Sequence, residues 1–337
     1  MATQRALLVE EICKPLVLVH DRSIPTPRSG QVQIKVTVAG LNPHDQRSRD
    51  TGLLIGDKLP AILSKDVVGT VSRIGEDVTG FRVGDRIMSL GSGAVMDSSQ
   101  SGLQEYALAD VVNCTKVPDN ISDDEAATLP TNVSAAFVAL FDVLQIPVPW
   151  EDSGTTPSAI LIVGGGSNCG KLAVQLAKLR NIQQIVVVGG DEMRLKKLGA
   201  THVIDRHLGE GAVVKRIRDA AGDDLIYALD AVNMPQGLGV AFKALSTHKQ
   251  GKVARLLPVG DVEDRRGHDL LDVLGLFLYH NPPCLGMWER LTGYVEDGAI
   301  SPTSFSTRQG LEAGVVNAAL DEYRNGKNKA KPQIRIG

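Results

Sequence analysis

The stretch from Ala159 to His207 constrains the fold more than any other part of the chain. An apolar run, AILIV, enters the glycine-rich turn GGGSNCG and leaves it as the helical pattern KLAVQLAKL. A second run, QIVVV, a short helical stretch, MRLKKLG, and a third run, HVIDRH, follow in order. IRDAAG closes a further helix, LIYALDAV supplies a strand, VAFKAL a helix and KVARLLPVG another strand. Short apolar runs without alternation suit parallel strands covered on both faces by helices. The region therefore reads as an α/β, doubly wound parallel sheet.

A glycine turn that opens a helix presents free N–H groups and the positive end of the helix dipole, a natural seat for a pyrophosphate. The spacing G-x-G-x-x-G aligns as Gly165, Ser167 and Gly170, so a serine stands where the middle glycine belongs. The candidate cofactor residues are Gly165, Gly166, Ser167, Asn168, Cys169 and Gly170. Ser167 adds a Cβ where backbone must approach phosphate, while its hydroxyl offers a donor to the same phosphate. A tight structural turn in a fold that has lost its cofactor is the competing reading. Cys169 at a helix start could carry a lowered thiol pKa, but with no histidine near in sequence it reads as a small turn residue. The second strand ends VVVGGDEMR. Gly189 and Gly190 occupy its tip, Asp191 follows, and Arg194, Lys196 and Lys197 offer charge-assisted donors to a 2′-phosphate. Gly190, Asp191 and Arg194 join the candidate set, with NADPH favoured over NADH. An ordinary solvated helix face is the alternative for the basic residues.

The first part of the chain reads as short strands and turns. QVQIKVTVAG alternates as a long strand, and VVGTVSRIGEDVTGFRVGDRIMSL gives two β segments around Gly75 and Gly84, as a barrel-like domain would. Ser122 and Glu125 form a capping-box pattern before AATLPTNVSAAFVAL. WERLTGYVEDG and GLEAGVVNAALDEYRNG read as helices, and PQIRI as a final strand. With 36 basic and 39 acidic residues the net charge of −3 offers no field for nucleic acid or anionic membrane. Four scattered cysteines, without CxxC, fit a reducing compartment, and the charged N-terminal residues lack the run of a signal peptide, so the cytoplasm is expected. No G-x-S-x-G elbow is present, and Leu172 stands where a phosphate loop needs a hydroxyl.

Four blocks in this order resemble the medium-chain dehydrogenase/reductases, in their zinc-independent quinone and enoyl reductase branch: 39–49, 64–87, 124–140 and 161–207. YALDAVN and GKVARLLPVG point further to the fungal group of trans-acting enoyl reductases. The resemblance implies a GroES-like β-barrel catalytic domain over 1–124, a Rossmann NADP-binding domain over 125–285 and a return segment, 286–337, completing the first. Zinc alcohol dehydrogenases of this family hold catalytic zinc with cysteine, histidine and cysteine. The matching positions here are Asn42, Lys65 and Thr131, which are poor zinc ligands. His44 and Asp45, read as neighbours on a strand, would face opposite ways, so no metal is expected.

What the resemblance implies is NADPH-dependent hydride transfer to an activated C=C bond in a small lipophilic enone or quinone. Asn42 would orient cofactor or substrate, Thr131 would line the pocket, and Lys65 would stabilise the enolate or donate the proton. The plainer alternatives are a turn cap for Asn42, helix packing for Thr131, and for Lys65 an ion pair with Asp66 or Asp45 or a stem reaching solvent. Asp66 matches the family's acid in this block. Arg49 is a candidate for phosphate or an acidic substrate, or for a surface ion pair. A polyketide synthase is the implied larger partner; monomer and homodimer both remain open. A redox-neutral cyclase or isomerase, or a non-catalytic interaction protein with a degenerate cofactor site, are the other readings. The segments 146–154 and 274–288 are expected to line the pocket.

Overall fold

The chain opens with β1 (Thr3–Val9), β2 (Val17–Ser23) and β3 (Gln31–Gly40), passes through α1 (Pro43–Thr51), and continues with β4 (Ala61–Ile62), β5 (Asp66–Ile74), β6 (Arg86–Leu90), β7 (Tyr106–Asp110) and β8 (Cys114–Lys116). The computed structural model describes all residues except 1, 57, 92–96, 152–154, 234–236, 257–259, 263–264, 274–281, 329 and 337. Strands β2, β1 and β4 make a small sheet, while β3, β5, β6 and β8 belong to a larger one in which β7 also pairs with β3. Alternation builds β3, where Val32, Ile34, Val36 and Val38 are all buried.

One expectation is overturned here. The segment around His44 and Asp45 is the first turn of a helix rather than a strand. Pro43 takes the first helical position, where no N–H is needed, and the Asp45 carboxylate reaches back to the Asn42 N–H at 2.7 Å. His44 and Asp45 are consequently neighbours, with His44 Nε2 3.6 Å from Asp45 Oδ1.

The capping box forms as its spacing predicts. Ser122 Oγ accepts the Glu125 N–H at 3.2 Å, Glu125 Oε2 accepts the Ser122 N–H at 2.8 Å, and α2 (Asp123–Ala126) begins there. α3 (Pro130–Phe137) follows and runs on as a π-helical turn to Val143. The stretch Asp123–Val143 has the length and composition of a membrane span, yet 78% of its apolar window is buried inside the protein. Its side chains join Val38, Val68 and Met88 of the larger sheet to Ile160, Ile162 and Leu172 in one core, so this helix mortars the two halves together.

The second half comprises β9 (Ala159–Val163), α4 (Asn168–Leu179), β10 (Gln184–Val188), α5 (Glu192–Leu198), β11 (His202–Ile204), α6 (Glu210–Ala221), β12 (Tyr227–Asp230), α7 (Gly239–Ala244), β13 (Lys252–Arg255) and β14 (Asp269–Asp272). They form a parallel sheet in the order β11-β10-β9-β12-β13-β14. All five residues of β9 are buried, each large aliphatic contributing roughly 1.5–3 kcal/mol. The strand order reverses beside β9, so the carboxyl ends of β9 and β12 mark the switch point at which ligands bind in open α/β sheets.

α8 (Pro282–Glu296), β15 (Phe305–Gln309), α9 (Ala313–Arg324) and β16 (Lys331–Arg335) close the chain. β16 lies antiparallel to β3 with Gln333 opposite Gly40, and β15 runs parallel beside it. The end of the chain thus completes the sheet begun at residue 31.

Candidate active site

The glycine turn is shaped by contacts that leave no room for side chains. A Cβ on Gly165 would stand 2.2 Å from Val187 Cγ1, and one on Gly170 would stand 2.3 Å from the Gly164 carbonyl oxygen. These two glycines let α4 press against β9 and β10. Ser167 is the N-cap of α4: its Oγ accepts the Gly170 N–H at 3.0 Å and donates to the Gly164 carbonyl at 2.8 Å. Its hydroxyl proton is therefore committed to the turn. Gly166 is exposed, with Gly190 opposite it. The N–H groups of Gly166, Asn168 and Cys169 find no acceptor among the described residues. A row of open donors at a helix N-terminus fits a dinucleotide pyrophosphate.

At the tip of β10, Gly189 and Gly190 have φ of 77° and 104°, in the region that favours glycine. Asp191 caps α5, its Oδ1 accepting the Arg194 N–H at 2.7 Å. Arg194 Nη1 donates to Ser304 Oγ at 2.6 Å. The Arg206 stem lies over Gly189, with Cδ 3.5 Å from where a Cβ would be. Lys171 sits close enough that burial, then the Arg194 charge, lower its pKa. Lys196 is engaged with Glu192 at 2.7 Å, and Lys197 is exposed on the same helix.

Beyond the turn, groups from three other segments converge on Asp66, which is fully buried. Its Oδ1 accepts the Thr131 backbone N–H at 2.6 Å and its Oδ2 accepts Asn42 Nδ2 at 2.7 Å. The ammonium of Lys331, from β16, closes on the same Oδ2. A carboxylate at the first turn of α3 also faces the positive end of that helix. Asn132 links onward: its Nδ2 donates to Asn42 Oδ1 at 3.3 Å, and its Oδ1 accepts the Cys169 thiol at 3.3 Å. The Thr131 hydroxyl oxygen is buried and has no partner among the described residues.

Lys65 is only 4% exposed, so its stem does not carry the charge to solvent. It packs along Gly91, with Cδ 3.4 Å from the place of a Cβ there. Its charge faces Asp45 and Asp97, since Asp66 is taken by Lys331. Burial outweighs both acids and lowers the ammonium pKa from 10.5 to about 8. Asp45 joins the two groups: its oxygens accept the Asn42 N–H at 2.7 Å and the Ser64 N–H at 2.9 Å.

Residues 28–119 match the family model described as an alcohol dehydrogenase GroES-like domain, and residues 169–256 match the model described as a zinc-binding dehydrogenase. The trans-enoyl reductase resD of Aspergillus sclerotiorum is 32% identical over 256 residues, spanning 71% of this chain and 70% of that protein. The chain belongs to the medium-chain dehydrogenase/reductase family. Among solved structures, an alcohol dehydrogenase superfamily protein from Novosphingobium aromaticivorans superposes with a TM-score of 0.80 at 25% identity, covering 99% of this chain and 100% of the other. The CurK enoyl reductase gives 0.78 at 21% identity, covering 99% of each chain, a likeness of fold.

This family member lacks the side chains for the catalytic zinc of its alcohol dehydrogenase relatives. At the three positions stand an amide already bonded to Asp66, a buried ammonium and a hydroxyl, none of them a thiolate, imidazole or carboxylate. Among the described residues no group of three or more His, Cys, Asp or Glu is placed to hold a metal.

Arg49, a candidate for phosphate, is instead buried between helices. It bonds Asp50 and Asp321, both at 2.7 Å, and clamps α1 to α9. Much of the two expected pocket segments, 152–154 and 274–281, lies outside the described residues. Trp150, which is described, stacks on Phe137 at 5.7 Å and carries Arg290 over its ring at 4.7 Å. Lys331, Asn132 and Arg206 were not singled out by sequence reasoning. Lys331 and Asn132 carry no local signal, whereas Arg206, two residues beyond the third strand, follows from the rule that ligands gather at strand carboxyl ends.

Proposed function

We propose that this protein is an NADPH-dependent reductase of an activated C=C bond, in an α,β-unsaturated carbonyl or a quinone. The observation that carries the reading is Lys65, a nearly buried ammonium at the position that matches the family's zinc histidine, next to Asp66, whose hydrogen-bond network reaches Cys169 of the glycine turn. The likeness to a trans-enoyl reductase supports an enoyl chain, presented by a larger synthase, as the substrate. The reading divides the chain into a catalytic unit, 1–124 with 286–337, and a cofactor unit, 125–285. The pairing of β16 with β3 supports that division.

NADPH, when bound, supplies the hydride that adds to the β-carbon. The open N–H groups of Gly166, Asn168 and Cys169 would receive its pyrophosphate, and Lys171, Arg194 and Arg206 its 2′-phosphate. One oxygen of Asp191 is engaged as a helix cap, which takes up part of the acceptor role an NAD site asks of it. As the β-carbon gains the hydride, the alkene electron pair moves toward the carbonyl oxygen. The Lys65 ammonium stabilises that charge in a water-poor site and then gives a proton to the α-carbon, regaining one from solvent. The unpartnered Thr131 hydroxyl is available to the same oxygen or to the nicotinamide amide. Asn42 keeps a second N–H beyond the one given to Asp66.

Fluorescence titration with NADPH and NADH tests the cofactor, and consumption of NADPH with an enone tests the reaction. NADPH should bind at least about tenfold more tightly, because a charge-assisted hydrogen bond contributes roughly 1.5–3 kcal/mol. Arg206→Ala should weaken NADPH by a similar factor and leave NADH unchanged. Equal affinities would overturn the choice of NADPH. Cofactor bound but never consumed while product forms would redirect the reading to a redox-neutral reaction.

A further inference from the structure

We infer that Asn132 is a positioning residue that ties the cofactor turn, through the Cys169 thiol, to the orientation of the Asn42 amide. The inference rests on the proposed hydride transfer and names a device within that site.

The Asp66 carboxylate accepts only, so Asn42 must present its NH2 group to it, at 2.7 Å. That leaves Asn42 Oδ1 facing Asn132, which must then present its own NH2, at 3.3 Å. The same Nδ2 also donates to the Thr128 carbonyl at 3.2 Å, which pins the amide a second time. Asn132 Oδ1 is thereby turned toward Cys169, whose S–H donates at 3.3 Å. Burial raises that thiol to about 12, so it keeps its proton. Every bond runs from Cys169 toward Asp66, and flipping either amide would set like groups face to face. Such a polarised chain in a buried site favours one arrangement over its alternatives.

The chain also crosses the molecule. Asp66 and Asn42 belong to the first unit, Asn132 to the bridging helix, and Cys169 to the first turn of α4. The backbone N–H of Cys169 is among those open to the pyrophosphate. A shift of the turn when the cofactor seats is therefore passed to the Asn42 amide by two side-chain bonds. Asn132 is 6% exposed and both its amide atoms are bonded to protein groups, so its role is to place Asn42 rather than to react.

The test compares Asn132→Ala, Cys169→Ala and Cys169→Ser with the full-length protein. Both alanine variants should lose about 10- to 100-fold in kcat, the penalty for a misplaced reacting group. NADPH affinity should stay within about threefold. The melting temperature should be nearly unchanged in Cys169→Ala, which loses one weak bond, and should fall in Asn132→Ala, which leaves groups of Asn42, Thr128 and Cys169 unpaired, so rates are compared well below that transition. The 4-deuterium isotope effect of NADPH should rise as hydride transfer becomes limiting. Cys169→Ser, which restores a donor, should recover most of the rate, and the double alanine variant should be no worse than Asn132→Ala. The infrared S–H band of Cys169 gives a readout without turnover: it should shift in Asn132→Ala and, in the wild type, on adding NADPH. Wild-type rates in Cys169→Ala, additive losses, or an S–H band indifferent to Asn132→Ala would each overturn the inference. A wild type that binds NADPH but reduces no enone would fail the proposed reaction instead, and the S–H band would still decide the relay.

Discussion

The two walls of the candidate site, the glycine turn and the cluster around Asp66, are made in different ways. On the cofactor side, seven consecutive residues form a turn whose shape is set by backbone contacts, chiefly those that exclude a Cβ at Gly165 and Gly170. On the catalytic side, Asn42, Asp66, Thr131 and Lys331 arrive from distant segments and are held by charge and hydrogen bonds. A wall of backbone tolerates side-chain change wherever a side chain points outward. A wall of buried polar groups tolerates almost none, because each group left unpaired carries its full desolvation cost.

Substitutions can break that contrast, and the largest effect is expected at Lys331. Lys331→Met leaves the Asp66 carboxyl fully buried and facing only neutral donors. Removing one partner of a buried pair costs about 3–5 kcal/mol. Urea unfolding should lose that much, and Lys331→Met combined with Asp66→Asn should recover part of it. A loss below about 1 kcal/mol, the range of an exposed ion pair, would show that the pair is not structurally coupled.

Lys65→Met should act in the opposite direction. Burial depresses this ammonium from 10.5 to about 8, so the fold holds its proton less tightly than the unfolded chain does. The unfolded state binds more protons between those values, and stability of the wild type rises with pH across that window. Below pH 8 the penalty is fully present, on the order of 3 kcal/mol. The methionine variant should therefore be more stable at pH 7, by an advantage that fades between about pH 8 and 10.5. Turnover should fall at the same time, and wild-type kcat should decline above about pH 8 as the amine loses its proton. A variant both less stable and fully active would remove Lys65 from the chemistry.

The same division explains which parts were legible beforehand. The parallel sheet follows from apolar runs such as AILIV and QIVVV, and the capping box from Ser122 and Glu125, because each signal lies within a few residues. α1 escaped because it has no apolar stripe: its buried residues are Asp45, Ser48 and Arg49. Its inner face is satisfied by Asp321, which lies 272 residues further along. Lys65 stood out as a departure from the family pattern. Its neighbour's partner, Lys331, did not, since 265 residues separate it from Asp66 and nothing local marks the pair. Asn132 was hidden for the same reason, being one of several small polar residues, with Thr131 and Ser134, in α3.

The smallest expected effect bears on the middle position of the fingerprint. Ser167 departs from glycine, and its hydroxyl offers two services, to phosphate or to the turn. In the structure both its proton and a lone pair are occupied, by the Gly164 carbonyl and the Gly170 N–H. Ser167→Ala should therefore cost about 1 kcal/mol of stability, the usual loss of an N-cap. Ser167→Gly, which restores the fingerprint, should cost only a few tenths of that unit. NADPH affinity should change by less than about threefold in either variant, since no charged hydrogen bond is lost. Tenfold weaker binding in both, with stability untouched, would assign the hydroxyl to the phosphate and make this wall depend on a side chain as well.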